Sequence, residues 1–283
     1  MENLRIGLPS KGRLAEESAK LFERAGIKFR RQNRSLFAKV KGMPIEIIFL
    51  RGSDIPVLCA EGALDMGLTG LDSVQEAGVD LDIRLRLGVG KCRMSICVPN
   101  DSDYKSVADL DGKRIATSFP QITKRHFSAN GASAHLMSLS GSVEIMISLG
   151  VADAIVDLVE TGSTLVANNL RVLEDIESYE VVLLQNKSVR IPEVADIVTR
   201  RLEGVVISNS WSLLEYNVPT QSIEEAKKIT PGFKSPTVSK LEDSEWSAMR
   251  VMVKRKNLNE VMDALEGIGA TAILETHINN CRL

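Results

Sequence analysis

Gly150–Leu165, GVADAIVDLVETGSTL, says more about the fold of this chain than any other stretch. AIVDLV is apolar and rich in branched residues, as a strand should be, and ETGST is a run of turn formers that opens a helix. A strand that runs into a glycine-containing turn and then a helix is the repeating unit of α/β sheets. The turn then sits at the carboxyl end of the strand, where such sheets bind ligands.

The same unit recurs on the amino-terminal side. LRIGL reads as a first strand, and Leu14, Ser18, Leu21, Phe22 and Ala25 follow at helical spacing until Gly26 ends the pattern. IEIIFL, DMGLTG, MSICVP and KRIATS read as further strands, each followed by turn residues or a helix start. SYEVVLLQN is strand-like and precedes a helix starting near Pro192. A chain that enters a second lobe near residue 91 and returns near residue 178 forms two α/β lobes with a cleft between them. The expected division is residues 1–90 with 178–210 as lobe I, 91–177 as lobe II, and 211–283 as a separate domain.

That last region has a different rhythm. SLLEYNV, SIEEAKKI, SPTVSKL, WSAMRVMVKRK, NLNEVMDALEGI and TAILETHI read in order as βαββαβ, the ferredoxin-like arrangement. Asn257 is placed to cap its second helix and Gly269 to end it, and Trp246 is expected in its core. A small α+β module attached to a complete cleft suggests regulation or assembly, by analogy at the level of fold.

Composition narrows the function. The formal charge of −2 gives no global attraction to nucleic acid or to an anionic membrane, so an anionic ligand has to be held by local groups. No run of about 18 apolar residues occurs and the amino terminus does not read as a signal peptide, so the cytoplasm is the expected location. Cys59, Cys92, Cys97 and Cys281 are scattered, and His126, His135 and His277 lack metal-ligand spacing. Neither a disulfide framework nor a transition-metal centre is expected.

The turn itself suggests a ligand. Successive backbone amides at ETGST, with the hydroxyls of Thr161, Ser163 and Thr164, form a concave anion site that suits a phosphate monoester. Asp153 and Asp157 precede it on neighbouring or equal faces of the strand, and carboxylates there accept hydrogen bonds from sugar hydroxyls. Together they suit a phosphorylated ribose. The ordinary alternative has Asp153 capping a turn, Asp157 paired with an arginine, and TGST as a polar helix start.

GVADAIVDLVETGSTL closely resembles the phosphoribosyl-pyrophosphate motif of ATP phosphoribosyltransferases, and the resemblance extends along the whole chain. LRIGLPSKGRL is similar to the opening strand and loop of that family, FLRGSDIPVLCAEGALDMGLTGLD to its second block, and KRIATSFP and GSVEI to blocks of its second lobe. TPGFKSPTVSKL and GATAILETHI resemble the C-terminal domain of its long form. The resemblance implies a two-lobed, periplasmic-binding-protein-like core followed by a ferredoxin-like regulatory domain. It also implies magnesium-dependent transfer of phosphoribose from 5-phosphoribosyl-1-pyrophosphate to N1 of ATP, the first step of histidine biosynthesis, with feedback inhibition by histidine in a homo-oligomer between dimer and hexamer.

Carried onto this sequence, the resemblance implies that Glu160, Thr161, Gly162, Ser163, Thr164 and Leu165 hold the 5-phosphate, and that Asp153 and Asp157 serve the ribose or Mg2+. Lys11 and Arg13 fall where anion contacts are expected. Bases at a helix start oppose its dipole, which favours a functional role over a structural one. Arg51, Asp72 and Glu144 fall at positions expected to face ATP, although Arg51 could equally pair with Asp54. Thr237 and Ala272 match positions around the histidine pocket. Two other readings compete: a non-catalytic two-lobed receptor, and a phosphoribosyltransferase acting on another base.

Overall fold

The computed structural model describes residues 3–32 and 35–282. They form two compact units: one runs up to Ala19 and from Lys28 to Thr199, and the other comprises Lys20–Ile27 and the chain from Arg200 onward.

The first unit holds two sheets. The chain lays down β1 (Leu4–Pro9), β2 (Phe37–Lys39), β3 (Ile45–Leu50), β4 (Met66–Gly70) and β5 (Asp82–Arg86). It then builds a second sheet from β6 (Cys92–Pro99), β7 (Arg114–Thr117), β8 (His135–Ser138), β9 (Ala154–Val159) and β10 (Leu170–Tyr179), and returns to the first as β11 (Val181–Gln185). The strand orders are β2-β3-β1-β4-β11-β5 and β10-β6-β9-β7-β8. In the first sheet β1 pairs in parallel with β3 and β4, and in the second β7 pairs in parallel with β8 and β9. β11 runs antiparallel to β4, and β10 antiparallel to β6, and the two crossings meet in space, where the Leu87 amide donates to the Val181 carbonyl and the Val181 amide to the Val89 carbonyl. This is the two-lobed, periplasmic-binding-protein-like arrangement.

Strands buried on both faces explain the apolar runs that mark them. Leu4, Ile6, Leu8, Ile45, Ile47, Met66 and Leu68 are buried in the first sheet, and Met94, Ile96, Ile155 and Val156 in the second. Helices α1 (Arg13–Arg24), α2 (Ile55–Ala60) and α3 (Leu71–Ala77) follow strands of the first sheet. α4 (Pro120–Ala129), α5 (Ile145–Ser148) and α6 (Ser163–Ala167) belong to the second, and α7 (Pro192–Ser210) leads out of the core. Gly67 marks where α2 presses on the sheet, since a Cβ there would lie 2.3 Å from a side-chain carbon of Ile55. α3 and α4 share one apolar core, in which Leu71 and Val74 pack with Ile122 and Phe127. Glu76 of α3 also accepts hydrogen bonds from the backbone amides of Gln121 and Ile122 at the start of α4.

The second unit is ferredoxin-like. β12 (Trp211–Pro219), α8 (Ile223–Ile229), β13 (Thr237–Lys240), β14 (Trp246–Lys254), α9 (Leu258–Gly267) and β15 (Thr271–His277) follow in the order βαββαβ, and the strand order is β13-β14-β12-β15. Its core is Leu214, Tyr216, Val218, Ala226, Met249, Val251 and Leu265. Two local expectations fail here. Trp246 is only half-buried, because it pairs with Pro219 at the end of the β12–β14 ladder. Asn257 precedes α9 but makes no side-chain cap, since a 3-10 turn over Arg255–Asn257 already leads into the helix.

In the same unit the segment Asn279–Arg282 lies along α7. The Cys281 amide donates to the Gly204 carbonyl, and a Cβ on Gly204 would lie 2.3 Å from the Cys281 carbonyl oxygen. Arg24 joins this cluster by donating to Asn209 Oδ1, Ser208 Oγ and the Asn279 carbonyl.

Candidate active site

β9 lies between β6 and β7 near the middle of its sheet, and its carboxyl end opens into the turn Glu160-Thr161-Gly162. Gly162 adopts φ 78°, the left-handed region in which a side chain is strained. A Cβ added there meets nothing within 4 Å, so backbone conformation and approach from the open side, not crowding by the protein, set the need for glycine. α6 is a single turn of five residues. The polar groups the turn presents are therefore its backbone amides and hydroxyls, and Thr161 Oγ1 and Ser163 Oγ lie 3.1 Å apart. Leu165 turns its side chain into an apolar cluster, leaving its backbone to the turn.

The turn forms one wall of a cavity of about 430 Å³. Asp157, Glu144 and Ser142 line it with Glu160–Leu165. Burial pushes the Asp157 carboxyl above its ordinary range; the Leu158 amide, donating to Oδ1 at 2.8 Å, opposes that shift, and the nearby Glu144 charge adds to it. A carboxyl held this way gains from any cation or hydroxyl donor that a ligand brings.

Asp153 is not part of this cavity. It sits just before β9, four residues or about 13 Å from Asp157 along an extended chain, and Arg114 occupies its carboxylate. Its side-chain bond to Arg114 holds the carboxyl below the ordinary range, and burial opposes that shift. The expected pair of ligand-facing aspartates is thus reduced to Asp157. Strand alternation allowed the two on neighbouring or equal faces, but Asp153 precedes β9 while Asp157 lies well along it.

A second cavity, of about 330 Å³, also lined by Glu160, reaches the start of α1 and the carboxyl end of β4. Arg13, at the start of α1, donates from Nη1 to both Glu160 oxygens at 2.6 and 2.7 Å, which joins the loop after β1 to the turn after β9. Lys11 is exposed in the preceding bend. Asp72 lines the same cavity from the first turn of α3 and is buried, and that burial raises its carboxyl above the ordinary range. Arg51 is exposed beside the 3-10 turn Gly52–Asp54, which Thr69 holds through a 2.9 Å bond from Oγ1 to the Gly52 carbonyl. Ser53 lies inside that turn, and its hydroxyl donates to Asp54 Oδ1.

Sequence reasoning missed Glu17, Thr69 and Cys92, which line the second cavity. Only Glu17 carried a readable signal, its position one helical turn after Arg13. Among the described residues no group of three or more His, Cys, Asp or Glu side chains could hold a metal ion, and no helix is long and apolar enough to cross a membrane. Thr237 lies exposed on the edge strand β13. Ala272 adopts φ 50°, where β15 places two residues, Ala272 and Ile273, opposite Tyr216 alone.

Residues 51–204 match the family model "HisG: ATP phosphoribosyltransferase", and residues 209–280 match "HisG, C-terminal domain". The chain is 60% identical over 280 residues to an ATP phosphoribosyltransferase of Rhodopirellula baltica, covering 99% of this chain and 94% of that protein. It is 39% identical over 290 residues to the ATP phosphoribosyltransferase of Candida albicans, covering 100% and 97%. Among solved structures, the ATP phosphoribosyl transferase (HisG:HisZ) complex from Thermotoga maritima superposes with a TM-score of 0.64 at 29% identity, over 73% of this chain and 99% of that one. A putative L-cystine ABC transporter from Listeria monocytogenes gives a TM-score of 0.52 at 15% identity over 72% and 90%, a likeness of fold alone.

Proposed function

The chain belongs to the ATP phosphoribosyltransferase family, whose members move the phosphoribosyl group of phosphoribosyl pyrophosphate to N1 of ATP in the first step of histidine biosynthesis, and we propose the following roles for its residues in that transfer. The turn Glu160–Leu165 receives the 5-phosphate, with amide donors around Gly162 and hydroxyls from Thr161, Ser163 and Thr164. Asp157 faces the ribose. The observation that carries this reading is the cavity bounded by that turn and by Asp157 at the carboxyl end of a central strand. Family membership removes the receptor and the other-base readings.

The chemistry asks for charge control more than for a base. The N1 lone pair of adenine attacks directly, while the ribose carbon becomes oxocarbenium-like and pyrophosphate departs. Lys11 and Arg13 meet the anionic oxygens, and a cationic donor beside the leaving group is worth most where it gains strength in the transition state. Arg51, Asp72 and Glu144 face ATP. Magnesium fits this donor set: a half-buried carboxyl without a surrounding protein cage suits an ion that keeps waters and substrate oxygens as ligands. Asp157 would hold it, and when bound it supplies neutralisation of the pyrophosphate charge.

In the ferredoxin-like domain, Thr237 and Ala272 border a site for histidine, which lowers activity from a distance with a coupling of about 1–3 kcal/mol. The enzyme works in the cytoplasm as a homo-oligomer. The experiment is direct: purified protein, ATP, phosphoribosyl pyrophosphate and magnesium yield phosphoribosyl-ATP and pyrophosphate, and Asp157→Asn or Gly162→Val abolishes most of that turnover without unfolding the protein. Normal turnover in both variants would remove the turn and Asp157 from the site.

A further inference from the structure

Arg13 is held at two edges. Its Nη1 donates to Glu160, and its Nε lies 3.4 Å from Glu17 Oε1, one turn along α1. The Glu160 contact is exposed on both sides, at 58% and 48% of the side-chain surface, so it is a solvent-screened pair that an incoming phosphate can displace. The Glu17 contact differs in kind. Glu17 is 32% exposed, and its Oε2 is buried with no hydrogen-bond partner among the described residues. A partly buried carboxylate with one unsatisfied oxygen depends on a nearby cation, and the guanidinium of Arg13 is that cation.

Helix stability does not account for the pair. Arginine at the first position of a helix opposes the dipole, and Arg preceding Glu by four residues is the weaker of the two possible orders. Both side chains instead line the cavity shared with Asp72 and Glu160. A guanidinium carries five N–H donors in a rigid plane, so fixing the Nε edge fixes the direction in which the Nη donors point.

We infer that Glu17 is a positioning residue: it holds the Nε edge of Arg13 so that the Nη donors stay aimed into the cleft when a substrate anion takes Arg13 from Glu160. This rests on the proposed role of Arg13 as an anion contact and adds to it the device that keeps Arg13 in place.

The test is a double-mutant cycle read by steady-state kinetics on the full chain with Glu17→Gln, Arg13→Ala and the double variant. Glu17→Gln should raise KM for phosphoribosyl pyrophosphate about tenfold while kcat stays within about twofold. Arg13→Ala should raise it further, and adding Glu17→Gln to Arg13→Ala should change it less than about twofold, because there is no guanidinium left to position. Glu17→Asp, which keeps the charge but withdraws it by one methylene, gives a second route to the same comparison, and melting curves report the fold. Equal effects of Glu17→Gln in both backgrounds, or an inert Glu17→Gln beside a damaging Arg13→Ala, would overturn the inference and leave the role of Arg13 intact. A normal KM in Arg13→Ala would overturn both.

Discussion

Arg114 grips Asp153 at three points: its backbone amide and Nε donate to Oδ2 at 2.9 and 3.1 Å, and Nη2 donates to Oδ1 at 2.8 Å. Asp153 is thereby a structural tie between the start of β7 and the approach to β9. Asp153→Asn should lower the melting midpoint by about 2 °C and leave turnover within about twofold. Because the folded-state pKa is depressed, the stabilisation is present above the unfolded value and is lost as pH falls through the folded one. The difference in melting midpoint between parent and variant should therefore close in acid; differential scanning calorimetry across pH checks it.

Asp157 behaves in the opposite sense. Its folded pKa is raised, so the native state binds that proton more tightly, and stability declines as pH rises through the folded value. Asp157→Asn should melt no lower than the parent at neutral pH and should gain on it as pH increases from the carboxylate range. Turnover should nevertheless fall by about a hundredfold, since a charge assigned to the substrate is gone. Parallel melts and rate measurements separate the two effects.

At φ 78°, Gly162→Ala imposes a left-handed conformation on a residue with a Cβ, at a cost of about 1–2 kcal/mol. KM for phosphoribosyl pyrophosphate should rise more than the stability loss would suggest, because the new methyl projects toward the open side of the turn. Urea titration and initial rates give the comparison.

Cys92 lines the cleft, and burial pushes its thiol up to about 11, with the Asp72 charge adding to the shift. Cys59 and Cys97 are pushed up to about 12, again chiefly by burial. Thiolate is the reactive form, so alkylation near pH 7 should be slow at all three, and Cys92, the least enclosed of them, should react first as pH is raised. Mass spectrometry of timed iodoacetamide reactions would show the order, and saturating substrate should slow it at Cys92.

Ala272, left-handed at a bulge in β15, is strained. Ala272→Gly should stabilise the protein by up to about 1 kcal/mol, whereas Ala272→Val should cost about 1–3 kcal/mol. If histidine binds there, Thr237→Ala should raise the histidine concentration needed for inhibition and leave uninhibited turnover unchanged, which calorimetry and rate assays would check together.

How much of this was readable in advance depended on the range of the interaction. The order βαββαβ and the strand, turn and helix around Gly162 followed from periodicity and from glycine placed within a few residues. The diversion of Asp153 did not, because its partner Arg114 lies 39 residues earlier and only the pairing of β7 with β9 brings it near. The strain at Ala272 arises from register with β12, which composition does not record. Trp246 looked like core by size alone, and its position at the end of a ladder decided otherwise.

The cluster around Gly204 bears on protein engineering. A swap of C-terminal modules between relatives would naturally be cut where β12 begins, at Trp211. That cut separates Asn279–Arg282 from the α7 backbone on which it rests, and it separates Asn279 from Arg24, which binds it from the far end of α1. The exchangeable cassette is therefore discontinuous. A chimera designed to fold would carry the second half of α7 and the stretch Lys20–Ile27 together with the ferredoxin-like strands, and it would keep glycine at 204 so that the donor's own last segment has somewhere to lie.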